Sequence, residues 1–340
     1  MRLALIAPPT QTVPASGLGG LDQVRWLAEG LADAGHHVTL IGAGLGGLSA
    51  GHCTVVDTDP TAGQHAEPGV LNYFHAIEAG KLLDGLDVQA VSDHTRGGYL
   101  PASAQRVPTA QTVYEPVAPL DGVRLPAHLG LVAVSQYQQD QARSLPWWDL
   151  IHPAIPLAEH PLSTDHDGPC LYLGPLLQGF GARLALDAAQ QAGRPITLAG
   201  TVPSAQADAD AERELAPRLG GGDRLLPVVG LRERWALLQT ACCLVAPLRN
   251  DEPASLEIVE AQAAGTPVVG LYGTVAAELV RHGVSGLLVL EPGELGVAVG
   301  RVGRQGLDPK EVREQAAHFD IEGMVAAYEA LFRRMVGGGR

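Results

Sequence analysis

The chain has 340 residues, 46% of them apolar, which suits two domains that each bury a core and argues against disorder. Its net charge of −14 repels phosphate backbones and anionic lipid, so nucleic acid is not an expected partner. The 23 Lys and Arg residues are scattered and build no basic amphipathic helix for a membrane surface.

Leu3–Ala7 is a short apolar run closed by Pro8-Pro9. It is too short to span a membrane or serve as a signal-peptide core, so it reads as a first buried strand, with no integral membrane segment expected. Leu21–Ala34 follows as a helix, with Val24, Leu27, Leu31 and Ala32 at helical spacing and Gly35 as its stop. The spacing then predicts strand His37–Ile41, helix Leu71–Leu83, and strands Val88–Val91, Thr109–Val113 and Leu131–Val134. The stretch 147–168 carries Pro153, Pro156 and Pro161 with little periodicity, and reads as an interdomain linker. Alternation then resumes. Strands are predicted over Cys170–Leu173, Ile196–Ala199, Leu225–Val229, Cys243–Ala246 and Pro267–Leu271. Helices are predicted over Ala182–Ala192, Leu231–Ala241, Ser255–Ala264 and Val275–Gly283, with a closing helix over Phe319–Arg334. Such alternation implies parallel sheets with helices on both faces.

The four cysteines are Cys53, Cys170, Cys242 and Cys243. Neighbours on a strand point to opposite faces, so Cys242-Cys243 is expected to make neither a disulfide nor a chelate. All four read as small core side chains in a reducing cytoplasm, which is the expected location.

Gly42-Ala-Gly44-Leu-Gly46-Gly47, after a strand and ahead of Asp57, has the look of a dinucleotide fingerprint. Asp57 lies only 15 residues beyond Gly42. A dinucleotide site needs a full crossover helix, with its acid about 20 residues on. A glycine-rich loop between two strands is the better reading.

Three other segments carry chemistry. Gly17-Leu-Gly19-Gly20-Leu21 precedes a helix, where free N–H groups and bare backbone suit an anion. Asp93-His94 ends a strand at the carboxyl edge of a parallel sheet, where open α/β folds bind ligands. Glu252 and Glu260, eight positions apart, flank Pro253 and Ser255 at a helix start. Pro253 suits the first helical position, and the N–H groups of Ser255, Leu256 and Glu257 would point at a diphosphate. Glu260 can accept from a ribose diol and Glu252 from sugar hydroxyls, whereas Glu257 reads as a solvated helix charge.

The run Glu252-x7-Glu260-Ala261-Gln-Ala-Ala-Gly265-Thr-Pro267-Val resembles the paired-acid segment of retaining GT4 glycosyltransferases. Gly19-Gly20, Gly35-His36-His37-Val38 and Glu278-x4-Gly283-x2-Gly286 extend the resemblance over nearly the whole chain. It implies the GT-B fold: two Rossmann-like domains facing across a cleft, an acceptor-side domain over 1–155 and a nucleotide-sugar domain over 156–318. The remaining stretch, 319–340, would be a helix that crosses back.

The resemblance also implies transfer of a hexose from a nucleoside-diphosphate sugar to a small-molecule or saccharide acceptor, with retention and without metal or other cofactor. Glu252 would orient the hexose, Glu260 the ribose, and Gly19-Gly20 would approach the phosphates, while Asp93 and His94 would face the acceptor. The pattern breaks at Pro175 and Phe180, which stand where the family carries an Arg and a Lys against the diphosphate. Arg249, or Arg183 on the following helix, is the expected substitute. Val113-Tyr114-Glu115 stands where the family has a further His. The alternative is a degenerate relative that binds nucleotide or sugar, or partners an active enzyme, without catalysis.

Overall fold

The computed structural model describes residues 1–8, 20–43, 53–58, 68–95, 107–117, 122, 124, 125, 127–177, 179, 181–200, 205–226 and 230–338. They form two compact units. One takes in the chain up to Ala154 and again from Ile321, and the other runs over Ile155–Asp320.

In the first unit the described strands are β1 (Arg2–Ile6), β2 (His37–Ala43), β3 (Thr54–Thr58), β4 (Ala90–Asp93), β5 (Thr109–Val113), β6 (Leu129–Ala133) and β7 (Trp147–Leu150). The helices are α1 (Gly20–Asp33), α2 (Pro68–Asp84) and α3 (Gln136–Gln141). The sheet order is β3-β2-β1-β4-β5-β6-β7 and every pairing is parallel. Leu3, Ala4, Leu5 and Ile6 have no exposed surface, as befits a strand covered on both faces by helices. The strand order reverses between β1 and β4, so their carboxyl ends flank the crevice where such sheets take ligands.

In the second unit the strands are β8 (Cys170–Leu173), β9 (Ile196–Ala199), β10 (Arg224–Leu226), β11 (Leu244–Ala246), β12 (Val268–Leu271) and β13 (Gly286–Val289). The helices are α4 (Ala182–Gln191), α5 (Ala205–Leu215), α6 (Leu231–Thr240), α7 (Leu256–Ala263), α8 (Ala276–Leu279), α9 (Leu295–Gln305) and α10 (Pro309–Ala316). The order β10-β9-β8-β11-β12-β13 is again all parallel, and the reversal lies between β8 and β11. The last helix, α11 (Ile321–Val336), belongs to the first unit. Its Met324, Tyr328, Leu331 and Phe332 share a core with Leu3, Leu5, Leu27 and Leu31.

Several elements differ from the sequence reading. β4 lies two residues further on than expected, so Asp93 closes the strand itself. The helix expected over Val275–Gly283 is a single turn, α8. Ser285 Oγ accepts the Arg281 N–H at 2.9 Å and Gly283 has φ of 79°, so the chain turns directly into β13. The sequence reading assigned no element to the stretch that forms α9, which carries Gly296, Gly300 and Gly303. Gly296 and Gly303 are contact points. A Cβ on Gly296 would press into Gln191 of α4, and one on Gly303 into Arg194 just beyond it.

Strand β7 was also missed, lying inside the proline-rich stretch. It is held by packing. Gly130 of β6 leaves room for the Trp148 indole, which a Cβ there would overlap. Gly130→Ala should therefore destabilise the first unit by about 1–3 kcal/mol through overpacking, read in a urea titration followed by tryptophan fluorescence.

The proline-rich segment that opens the second unit is pinned by Arg313 of α10. Its guanidinium donates to the carbonyls of His160 at 2.6 Å, Leu157 at 2.8 Å, and Ala263 at the end of α7. Among the described residues no helix is long and apolar enough to cross a membrane.

Candidate functional site

In the second unit the carboxyl ends of β8 and β11 lead into the loops that carry the sequence candidates. Tyr172, on β8, is buried, and its hydroxyl donates to the Pro175 carbonyl at 3.0 Å. Burial, then the charges of Glu252 and Glu257, push this phenol well above its usual range, so it stays neutral. The bond ties down the loop at Pro175, where the resemblance expects a cation. Phe180, the other such position, lies outside the described residues.

After β11 the chain makes a tight turn. The Arg249 N–H donates to Glu252 Oε1 at 2.9 Å. Burial raises the Glu252 pKa above the usual carboxylate range, with that N–H opposing the rise. The Arg249 guanidinium does not reach into open space. Its Nε donates to Asp251 Oδ1 at 2.8 Å and its Nη2 pairs with the other oxygen. Arg183, in the first turn of α4, is largely exposed and sits 3.7 Å from Asp187. Of the two substitute cations, Arg183 is the less committed.

Helix α7 starts at Leu256 with Ser255 as its N-cap, three residues later than a start at Pro253 would give. A serine in extended geometry suits a cap, and Pro253 favours an extended predecessor, so Pro253 stays in the loop. Ser255 Oγ donates to Glu257 Oε2 at 3.1 Å instead of capping the helix, so no N-cap side chain covers the first-turn N–H groups. Glu257 is therefore no free surface charge. It is half-buried and lies 3.8 Å from Arg234 Nη2.

Glu260 departs most from expectation. Its side chain has no exposed surface. Arg234, on α6 and itself 6% exposed, donates Nε–H to Oε1 and Oε2 at 3.0 and 2.9 Å and pairs Nη2 with Oε2. Burial disfavours the charge on Arg234, but Glu260 outweighs it and holds the guanidinium above its ordinary range. In this arrangement Glu260 meets an arginine and not a ribose.

Sequence reasoning missed Arg234, although a signal was present. It falls at helical spacing with Leu231, Trp235 and Leu238 on α6, so a core-facing cation needed a buried acid.

The cysteines also need correction. Cys242 and Cys243 precede β11 and do not alternate across a strand. Both thiols turn toward Cys170, with Sγ separations of 3.6 and 4.0 Å. Among the described residues these three form the one group of at least three His, Cys, Asp or Glu close enough to share a metal ion. They lie within the apolar core around Tyr172, Leu186 and Val245, at sulfur contact distance.

In the first unit, Gly20 opens α1, while Gly19 lies outside the described residues. Asp93 and His94 stand at the reversal between β1 and β4, and the His94 N–H donates to the Ile6 carbonyl at 2.9 Å. Both side chains are buried. Asp93 Oδ1 accepts from the Thr95 N–H at 2.8 Å and its hydroxyl at 2.7 Å. The His94 ring bridges Ser92 Oγ at 2.9 Å and the Tyr114 hydroxyl at 3.0 Å, with the Tyr328 ring 5.7 Å away. Burial lowers its pKa to about 3, so the imidazole is neutral at physiological pH. It can relay or orient a hydroxyl but cannot supply a positive charge. Gln23, Thr112, Tyr114, Ile151 and Tyr328 line a shallow recess with it.

Residues 170–304, which span β8 to α9, match the family described as glycosyl transferases group 1. None of the curated proteins compared with the chain matches it. Solved structures match along nearly the full length. AviGT4, a glycosyltransferase involved in avilamycin A biosynthesis, is 23% identical with a TM-score of 0.76, covering 99% of this chain and 98% of its own. Sucrose-phosphate synthase from Thermosynechococcus elongatus is 18% identical with a TM-score of 0.82, covering 99% and 100%. Anabaena HepE, solved with UDP and glucose, is 16% identical with a TM-score of 0.70, covering 98% and 99%. With its two all-parallel sheets, the chain has the GT-B architecture.

Proposed function

We propose that the chain is a glycosyltransferase of the GT4 kind, moving a hexose from a nucleoside-diphosphate sugar to an acceptor hydroxyl with retention and without a metal. The observation that carries this reading is one of placement. The segment matching glycosyl transferases group 1 contains the whole β8–β11 edge, including Glu252 and the uncapped start of α7.

In this reading the first-turn N–H groups of α7 and the positive end of its dipole face the diphosphate. Glu252, partly desolvated and fixed by the Arg249 N–H, accepts from hexose hydroxyls. The bond from the anomeric carbon to the phosphate oxygen breaks as the acceptor oxygen bonds to the same face. The acceptor proton passes to the departing diphosphate, so neither a protein base nor a metal is required. Arg183 and Arg249 are the cations that offset the charge on the leaving group. Asp93 and His94 stand on the acceptor side, with the buried, neutral His94 orienting the Tyr114 hydroxyl.

A specific observation favours a second reading. Pro175 is no cation, and Arg249 is already neutralised by Asp251. A degenerate relative that binds donor without turning it over would look the same at these positions.

Calorimetry with UDP-, GDP-, ADP- and dTDP-sugars, paired with an assay of slow donor hydrolysis, separates the two. Binding with hydrolysis supports the transferase, and binding alone supports the degenerate relative. Silence across the panel overturns the donor reading. In an active enzyme Glu252→Gln should lower turnover about 10²-fold, the order seen when one preorganised polar contact to a reacting group is removed. Arg249→Glu tests the substitute cation, because unchanged donor affinity would remove it from the site.

A further inference from the structure

Consecutive side chains on a strand take opposite faces. Cys242 and Cys243 escape that rule by standing just before β11, and both sulfurs turn to Cys170 at the first position of β8. The peptides that carry the three thiols are fixed. The Cys170 N–H donates to the Pro195 carbonyl at 2.8 Å, the Cys242 N–H donates to the Pro169 carbonyl at 3.2 Å, and the Cys243 carbonyl accepts from the Leu171 N–H at 2.9 Å. Cys170 Sγ lies 3.6 Å from Cys242 Sγ and 4.0 Å from Cys243 Sγ, and all three sulfurs fall within 4.8 Å of one another. A point equidistant from them is about 2.5 Å or less from each, against a zinc–thiolate bond of about 2.3 Å. A disulfide needs two sulfurs, whereas three around one centre make the donor set of a metal ion.

We infer that Cys170, Cys242 and Cys243 bind a divalent thiophilic ion of the zinc class at the amino ends of β8 and β11. Sulfur donors select soft ions, and charge then selects among those. Three thiolates bring three negative charges into a core where charge is costly. A divalent ion leaves one of them, which Arg194, half-buried just beyond α4, can offset. A monovalent ion would leave two. Hydrogen bonding from Cys170 and then Cys243 draws the Cys242 pKa below the usual thiol range against the pull of burial, and the Arg194 charge adds to it. One thiolate is thus favoured before the ion arrives, and binding releases the remaining protons. Cys242 keeps 6% exposure, and on that side water completes the tetrahedron. β8 and β11 meet where the strand order reverses and share one register pair, Leu171 with Leu244, where β8 and β9 share four. An ion held by both strands clamps this thin seam. The donor reading uses the opposite, carboxyl ends of the same strands, so the two stand or fall separately.

The test titrates zinc(II), and cadmium(II) as an ultraviolet probe, into the full chain, reduced and stripped of metal. The expected result is one ion per chain with a thiolate-to-cadmium charge-transfer band. X-ray absorption at the zinc edge should show three sulfur neighbours at about 2.3 Å. Saturating zinc should raise the melting temperature by about 5 °C. No cadmium band, or a zinc shell with fewer than three sulfurs, overturns the inference. A bound ion that leaves the melting temperature unchanged overturns the clamp.

Cys242→Ser and Cys53→Ser supply the contrast. Removing one of the three sulfurs should weaken cadmium binding by at least about 100-fold, more than the loss of an outer-shell partner costs. Cys53 lies in the first unit, so its replacement should leave affinity and band unchanged. Binding that survives in Cys242→Ser, or is lost in Cys53→Ser, overturns the assignment. Cys242→Ala repeats the measurement with an apolar side chain if serine impairs folding. Should neither variant fold, the sulfur count around zinc in the parent protein decides.

Discussion

Arg234→Met is expected to destabilise the second unit by about 3–5 kcal/mol, because it leaves the Glu260 carboxylate buried without a counter-ion. The loss should appear as a lower urea midpoint with little change in slope. The companion measurement is the double variant Arg234→Met with Glu260→Leu. A buried pair gains Coulomb energy but pays for desolvating both ions, so replacing the two together by apolar side chains of similar volume is often close to neutral. The double variant should therefore recover most of the stability lost in the single one. Such non-additivity is the signature of two groups acting as one unit. If the single change costs less than about 1 kcal/mol, Glu260 has another way to be satisfied and the buried pair is not the unit described here.

This pair also marks the boundary between what the sequence discloses and what it hides. Most strands of both sheets, though not β3, β7 or β13, are legible because parallel strands covered on two faces read as continuous apolar runs. Leu3–Ile6 and Cys170–Leu173 are examples, and both are buried. The position of Glu260 on a helix after a loop acid is equally legible, because Ser255 and Gly265 punctuate the two ends of that helix. What its carboxylate touches is not legible from that segment. Its partner lies 26 residues earlier on a different helix, and only packing brings the two together.

The same holds for the thiols. A rule about neighbours on a strand fails at Cys242-Cys243 because β11 begins one residue later, at Leu244. In α9, the missing Cβ of Gly296 admits Gln191 of α4 and that of Gly303 admits Arg194 just beyond it, a packing reason that no local pattern shows. Local rules thus found many of the elements, but not β7 or α9. They failed where a side chain answers to a residue far away in sequence.

His94 makes the same point through pH and gives the second large expectation. Its only titration influence is burial, which brings the folded-state pKa to about 3, against about 6.5 in an unfolded chain. The ring packs against Ser92, Tyr114 and Tyr328, all neutral, so no nearby carboxylate among these contacts rewards its protonation. The unfolded chain then binds a proton that the folded chain refuses. Stability is fully present above about pH 6.5 and is lost as pH falls through the window down to about 3, with a slope of at most about 1.4 kcal/mol per pH unit.

Between pH 7 and pH 5 the first unit should lose about 2 kcal/mol from this group alone. His75, buried beneath the Ala7 carbonyl and also shifted down by burial, acts in the same direction. The measurement that isolates His94 is therefore a difference. Urea titrations of the parent and of His94→Gln, at half-unit steps from pH 7 to pH 5, should show the parent falling more steeply by about 2 kcal/mol over the interval. Glutamine keeps polar contacts to Ser92 and the Tyr114 hydroxyl without a titrating ring. Parallel curves for the two proteins would mean that His94 takes up its proton in the folded state, and that its ring is not sealed from water as the Ser92–Tyr114–Tyr328 packing requires.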